Sequence, residues 1–176
     1  MRVKVETIAN YLIVITSVTC MLLLGFRFLA NPGTGIKSAA QGYRPGDKLT
    51  LNEVPVDFSK APQTLLLVMS SQCRFCTASM PFYHDLLKTT STMSKQTRVV
   101  AGGLLEKPAS LQTYLNEYDL RVDEIVTIPA GKTKFQVTPT ILLIDASGTI
   151  KGVWTGMLDT EQAQRDVVKV MTTGRT

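Results

Sequence analysis

Cys73-Arg-Phe-Cys76 is the element of this chain whose residue types and spacing most directly imply chemistry. A Cys-x-x-Cys spacing serves either a redox dithiol or a metal ion. The thiolate is the species that attacks a disulfide, so a redox pair needs one accessible sulfur with a lowered pKa. It also needs a second sulfur near enough to resolve the mixed disulfide. A structural zinc site needs four ligands, and beyond this pair the only histidine is His84, which suits an exposed helix position better than a ligand or a catalytic base. No metal is expected. A static structural bridge is the remaining option, but one of such short span adds little stability. Cys73 and Cys76 are therefore the expected catalytic residues.

A dithiol works only if the surrounding elements expose one sulfur and hold the other. Thr64 to Met69 is a short apolar run after Pro62 and before Ser70-Ser71, which predicts a strand buried on both faces. Cys76 to about Thr90 places Met80, Tyr83, Leu86 and Leu87 on one side of a helix. A strand leading into Cys-x-x-Cys at a helix start puts Cys73 near free amide groups and the positive end of the helix dipole. Cys76 then lies one turn in, within bonding reach. Arg74 adds positive charge and is expected to lower the Cys73 pKa further, making the pair a stronger oxidant. Arg98 to Leu105 predicts a second strand, and Pro108 opens a helix through Tyr118. Thr140 to Ile144 predicts a third strand, Asp145-Ala-Ser-Gly148 a turn, and Thr149 to Trp154 a fourth strand. A last helix runs from about Thr160 to Met171, capped by Thr160 or Asp159. This order implies an α/β fold with a mixed sheet covered on both faces.

The chain begins differently. Ile8 to Leu29 is almost wholly apolar, with Arg27 near its end, and a helix needs about 20 such residues to cross the hydrocarbon layer. Signal-peptide cleavage would need small residues just beyond the run, yet it ends Phe26-Arg-Phe-Leu29. An uncleaved anchor is expected. Its basic start, Arg2 and Lys4, resembles a signal anchor, although lysines and arginines also follow the span. The expectation is a single-pass protein of the cell membrane with its domain outside the cytoplasm, on the periplasmic side in a Gram-negative cell. The segments are then a tail over 1–7, an anchor over 8–29, a Gly/Pro-rich linker over 30–43 and a domain over 44–176. Cys20, at membrane depth, reads as an apolar filler. The net charge of +5 comes from scattered lysines and arginines, without the basic and aromatic clusters of nucleic-acid binding.

Two motifs carry a resemblance. Cys73-Arg-Phe-Cys76-Thr-Ala-Ser-Met-Pro81 resembles the thioredoxin-like active-site segment, and Gln136-Val-Thr-Pro139-Thr-Ile-Leu-Leu-Ile-Asp145 is similar to the segment where a cis-proline faces the dithiol. Together they resemble the membrane-tethered TlpA and ResA branch of the thioredoxin-like superfamily, over about Arg44 to Met171. The resemblance implies a mixed central sheet flanked by helices, preceded by one transmembrane helix. It implies thiol-disulfide exchange with extracytoplasmic protein thiols and disulfides, in some members for cytochrome c biogenesis, with a membrane redox partner and no cofactor beyond the redox-active disulfide. Cys73 matches the nucleophile, Cys76 the resolving cysteine and Pro139 the cis-proline, with Thr138 offering backbone groups to a substrate strand. Arg74 and Phe75 between the cysteines, and Pro81 bending the helix, are the expected modulators. Two positions depart from the pattern: Gln72 stands where many relatives carry tryptophan, and Leu67 where thioredoxins carry a buried acid. Proton handling is thereby left open, with Glu106 a candidate stand-in, while Trp154 and Gly156 read as packing and turn residues.

Two other functions compete. A peroxiredoxin-like peroxidase fits Ser70 but has Leu66 where its signature needs proline. A non-catalytic metal or assembly chaperone would use the same fold, but the cysteines are separated by two residues and a second histidine is missing.

Overall fold

The structure, a computed structural model, describes residues 14–21, 42–93, 97–129 and 131–173. Contacts divide the chain into two units, Met1–Ala40 and Gln41–Thr176. In the first, residues 14–21 are helical and exposed. The rest of the expected anchor lies outside the described residues. Among the described residues, no helix is long and apolar enough to cross a membrane.

The second unit is built on a five-stranded sheet of order β3-β2-β1-β4-β5. The strands are β1 (Gln63–Met69), β2 (Thr97–Leu104), β3 (Glu124–Ile128), β4 (Thr140–Asp145) and β5 (Ile150–Thr155). The helices are α1 (Arg74–Ala78), α2 (Met80–Met93), α3 (Pro108–Glu117) and α4 (Glu161–Thr173). Central β1 pairs in parallel with β2 and antiparallel with β4, so no side of it meets water and its sequence is a continuous apolar run. Its side chains alternate. Leu65, Leu67 and Met69 join the cluster formed with the helices, while Leu66 and Val68 face a second cluster. Each fully buried leucine contributes about 1.5–3 kcal/mol.

Both faces are covered, as expected, but by different means. Buried residues from all four helices, among them Cys76, Tyr83, Leu111 and Val167, fall in the first cluster. The second is closed by chain preceding the sheet: Tyr43, Leu49, Val54, Val56 and Phe58, with Phe135 from the β3–β4 connection. That segment lacks helical periodicity, and its one regular piece is a 3-10 turn at Phe58–Lys60 capped by Asp57.

Three differences from the sequence reading stand out. β3 was not expected; it is a short edge strand, half-buried along much of its length. The helix expected from Cys76 starts at Arg74 and breaks at Ser79, giving α1 and α2. Pro81 explains the break, because it has no amide hydrogen for the Thr77 carbonyl and its ring crowds that turn. The strand and helix ends otherwise move by one to three residues, as helix and strand termini commonly do. At the far end of the domain Thr160 caps α4, its hydroxyl accepting from the Ala163 amide at 3.3 Å.

The β4–β5 turn depends on two residues. Gly148 has φ of 83°, and a β-carbon there would stand 2.8 Å from the Leu49 carbonyl oxygen. The Asp145 carboxylate accepts from the amides of Ser147 and Thr149 at 2.9 and 3.0 Å. Partial burial opposes its ionisation, but the Ser147 hydroxyl, Lys151 and then these amides hold its pKa down at about 2.

Candidate active site

Parallel strands all end on one side, so the carboxyl ends of β1 and β2, and the start of antiparallel β4, meet at one edge of the sheet. The register pairs Val68 with Thr140. The loop after β1 therefore lies beside the segment before β4, and this brings Cys73 to Thr138-Pro139. The Thr138–Pro139 bond is cis. The Cys73 thiol donates to the Thr138 carbonyl oxygen at 3.3 Å. On the other side of the loop edge, the Gly156 amide donates to the Pro139 carbonyl at 2.8 Å, with Gly156 at φ of 84°. Gly156 is thus a turn residue, as expected, and it also fixes the proline. Trp154 packs beside Gly152 and donates its indole N–H to Asp166 at 3.0 Å, fastening α4 to β5.

Cys73 caps α1. The amides of Cys76 and Thr77 donate to its carbonyl at 2.9 and 3.2 Å, and the Cys76 amide also donates to its sulfur at 3.4 Å. Cys73 is partly exposed, whereas Cys76, one turn on, is fully buried; both are free thiols. Their environments drive them apart. Partial burial of Cys73 disfavours its thiolate, yet the pKa is lowered, because the Thr138 side chain, the Cys76 thiol and the amides of Cys76 and Phe75 all bond the sulfur. For Cys76, burial dominates and pushes the thiol up to about 12, with the Cys73 sulfur adding to the rise. A reactive anion at the surface and a protonated reserve beneath it are what stepwise exchange requires.

The neighbouring residues take distinct places. Arg74 is exposed, and its guanidinium lies 4.7 Å from the centre of the Phe75 ring; the lowering at Cys73 comes chiefly from hydrogen bonds. Phe75, 45% exposed, puts an apolar ring on the surface between the two sulfurs in sequence. Leu67 is buried in the same cluster as Cys76. Tyr83 is buried there too, and burial, followed by charge at Cys76, pushes its phenol well above the usual range. Tyr114 meets Thr77, the residue after Cys76, with 3.0 Å between hydroxyls. His84 lies at the Tyr118 carbonyl, 2.7 Å away, tying α2 to the end of α3. Glu106 faces Ser71. Leu66, where a peroxidase signature would need proline, is buried within β1. Among the described residues no group of three or more His, Cys, Asp or Glu side chains is placed to hold a metal ion. The contacts of Tyr114 and Glu106 had no local signal in the sequence, since their partners are 37 and 35 residues away.

No family model matches the chain, and no curated protein matches it. Solved structures do. A thiol-disulfide isomerase from Corynebacterium glutamicum is 15% identical, with a TM-score of 0.53 over 75% of this chain and 92% of that one. The thioredoxin domain of a thiol-disulfide oxidoreductase from Bacteroides vulgatus is 12% identical, with a TM-score of 0.55 over 73% and 98%. A putative thiol:disulfide interchange protein DsbE from Chlorobium tepidum is 19% identical, with a TM-score of 0.53 over 74% and 99%. The domain has the thioredoxin-like fold.

Proposed function

We propose that this protein is a thiol-disulfide oxidoreductase acting on the thiols and disulfides of other proteins. The observation that carries the reading is the opposed pair of sulfurs: Cys73 accessible with a lowered pKa, bonded at the cis-Pro139 loop, and Cys76 buried and protonated one turn away. In the reducing direction the Cys73 thiolate attacks one sulfur of a substrate disulfide. A Cys73–substrate bond forms, the substrate S–S bond breaks, and one substrate thiolate leaves and takes a proton. Cys76 then gives up its proton and attacks the Cys73 sulfur. The Cys73–Cys76 disulfide forms and the second substrate thiol is released, so two electrons pass from dithiol to substrate. The oxidising direction is the reverse. Thr138 and Pro139 line the edge where a substrate strand would lie; Arg74, Phe75 and Pro81 shape the dithiol helix. No cofactor beyond the redox-active disulfide enters the scheme.

The apolar segment 8–29 supports a signal anchor that places the domain outside the cytoplasm, where a membrane redox partner would reset the dithiol. The resemblance to TlpA- and ResA-type proteins points the same way. One experiment tests chemistry and side together. In intact cells expressing Cys76→Ser, mixed disulfides with protein partners are expected to accumulate through Cys73 and to be reached by a membrane-impermeant alkylating reagent after reduction. The absence of trapped species would count against exchange, and labelling only after lysis would count against the location.

A further inference from the structure

The loop that carries Cys73 is held from an unexpected side. β2 ends at Leu104, and Leu105 follows with φ of 60°, the left-handed conformation that a β-carbon disfavours. Leu105 is also 67% exposed, so burial does not compensate it. Two bonds hold the turn: the Leu105 amide donates to the Ile128 carbonyl at 3.1 Å, and the Thr127 hydroxyl to the Glu106 carbonyl at 2.9 Å. Gly103 leaves room for it, since a β-carbon there would stand 3.2 Å from the Glu106 carbonyl oxygen. The result is a Glu106 side chain turned onto Ser71. One carboxylate oxygen accepts from the Ser71 amide at 2.9 Å, and the other from the Ser71 hydroxyl. Within the same loop the Cys73 amide donates to the Ser70 carbonyl at 3.1 Å and the Gln72 amide to the Ser70 hydroxyl at 3.3 Å. Bonds to a charged acceptor are the stronger ones, so Glu106 is the firmest hold on the loop from outside it. With both oxygens engaged at Ser71, it is a clamp, not a proton carrier at the sulfurs.

We propose that Glu106 is a positioning residue that, by gripping Ser71, keeps the Cys73 sulfur at the Cys76 amide, the donor that favours its thiolate. The inference rests on the reading of Cys73 as the nucleophile. It is distinguishable from a simple charge effect by sign. A carboxylate acting through its charge would disfavour the thiolate, so Glu106→Ala and Glu106→Gln would both speed reaction of Cys73 at neutral pH. A clamp gives the opposite.

The test is the pH profile of Cys73 alkylation by iodoacetamide, resolved by peptide mass spectrometry on the full chain in detergent. Glu106→Ala is expected to slow alkylation at neutral pH by about three- to ten-fold and to move the profile to higher pH, because the thiolate fraction falls tenfold for each unit of rise. Glu106→Gln, whose amide oxygen still accepts from the Ser71 amide, is expected to stay within about twofold of the unaltered protein. Ser71→Ala, which loses the hydroxyl bond alone, should fall between them, and it carries the test if Glu106→Ala does not fold. Rates that are unchanged or faster in Glu106→Ala, or unchanged in Ser71→Ala where that variant stands in, overturn the clamp. A Cys73 profile in the unaltered folded protein that coincides with that of the urea-unfolded chain overturns the nucleophile reading, and the clamp with it.

Discussion

Cys73 and Cys76 carry the same functional group three positions apart, yet the fold moves their ionisation in opposite directions. The cause is local. Cys73 collects hydrogen bonds at the end of a loop, whereas Cys76 is turned inward among Leu67, Met80 and Tyr83 with no exposed surface. Leu67 matters because an apolar side chain at that place offers Cys76 no group to take its proton. Deprotonation of Cys76 must then wait for a substrate thiolate or solvent to reach the mixed disulfide. Brief alkylation of the reduced protein across pH is therefore expected to modify Cys73 from below pH 9.0, its ordinary value, and to leave Cys76 unmodified through that range. Site-resolved mass spectrometry checks it. Equal labelling of both cysteines in the folded protein would contradict the assignment of attacking and resolving roles.

At the level of elements, the dithiol helix is fastened from two directions, by the loop bonded to Glu106 and by α3 through Tyr114 and Thr77. The second contact makes a measurable unit. In a double-mutant cycle, Tyr114→Phe and Thr77→Val each remove one hydroxyl of the pair. The two changes are expected to be non-additive in urea unfolding by about 0.5–1.5 kcal/mol, the net value of one such bond. Additivity would mean that α3 does not brace α1 through this contact. The same elements show what was legible beforehand. β1 and β4 were readable because a strand buried on both faces is an unbroken apolar run, whereas Pro81 signalled only a bend in a single helix where the structure has the α1–α2 break. β3 was not readable: Glu124-Ile-Val-Thr-Ile128 is short and lies at the sheet edge, paired only with β2. The sulfurs were legible from spacing and the cis-proline from its motif. Glu106 was visible only as an acid without a place, since its role depends on a left-handed leucine and a glycine that no periodicity reveals.

For the whole domain, the site and the fold are linked through one thermodynamic cycle. Any preference of the folded protein for the dithiol over the disulfide, beyond that of the unfolded chain, must equal the difference in folding stability between the reduced and oxidised forms. Two contributions oppose each other. The disulfide restricts the unfolded chain, which favours the oxidised form by something of the order of 2 kcal/mol for so short a loop. Ionisation of Cys73 favours the reduced form, because its pKa is lower folded than unfolded. The loop contribution does not vary with pH, but the ionisation one does. A depressed pKa contributes stability that is fully present above the unfolded value of about 9 and is lost as pH falls through the folded value. Urea unfolding of the reduced and oxidised full chain in detergent, compared from pH 5 to about 9, is therefore expected to show the reduced form gaining on the oxidised form as pH rises. The gain should stop near pH 9, above which the raised pKa of Cys76 works against the reduced form, and the reduced protein should lose the same pH-dependent increment in Cys73→Ser. A difference between the two forms that stays flat with pH would mean that the Cys73 thiolate is not stabilised by the fold, and the dithiol would then lack the bias toward its reduced state that makes a disulfide a good oxidant.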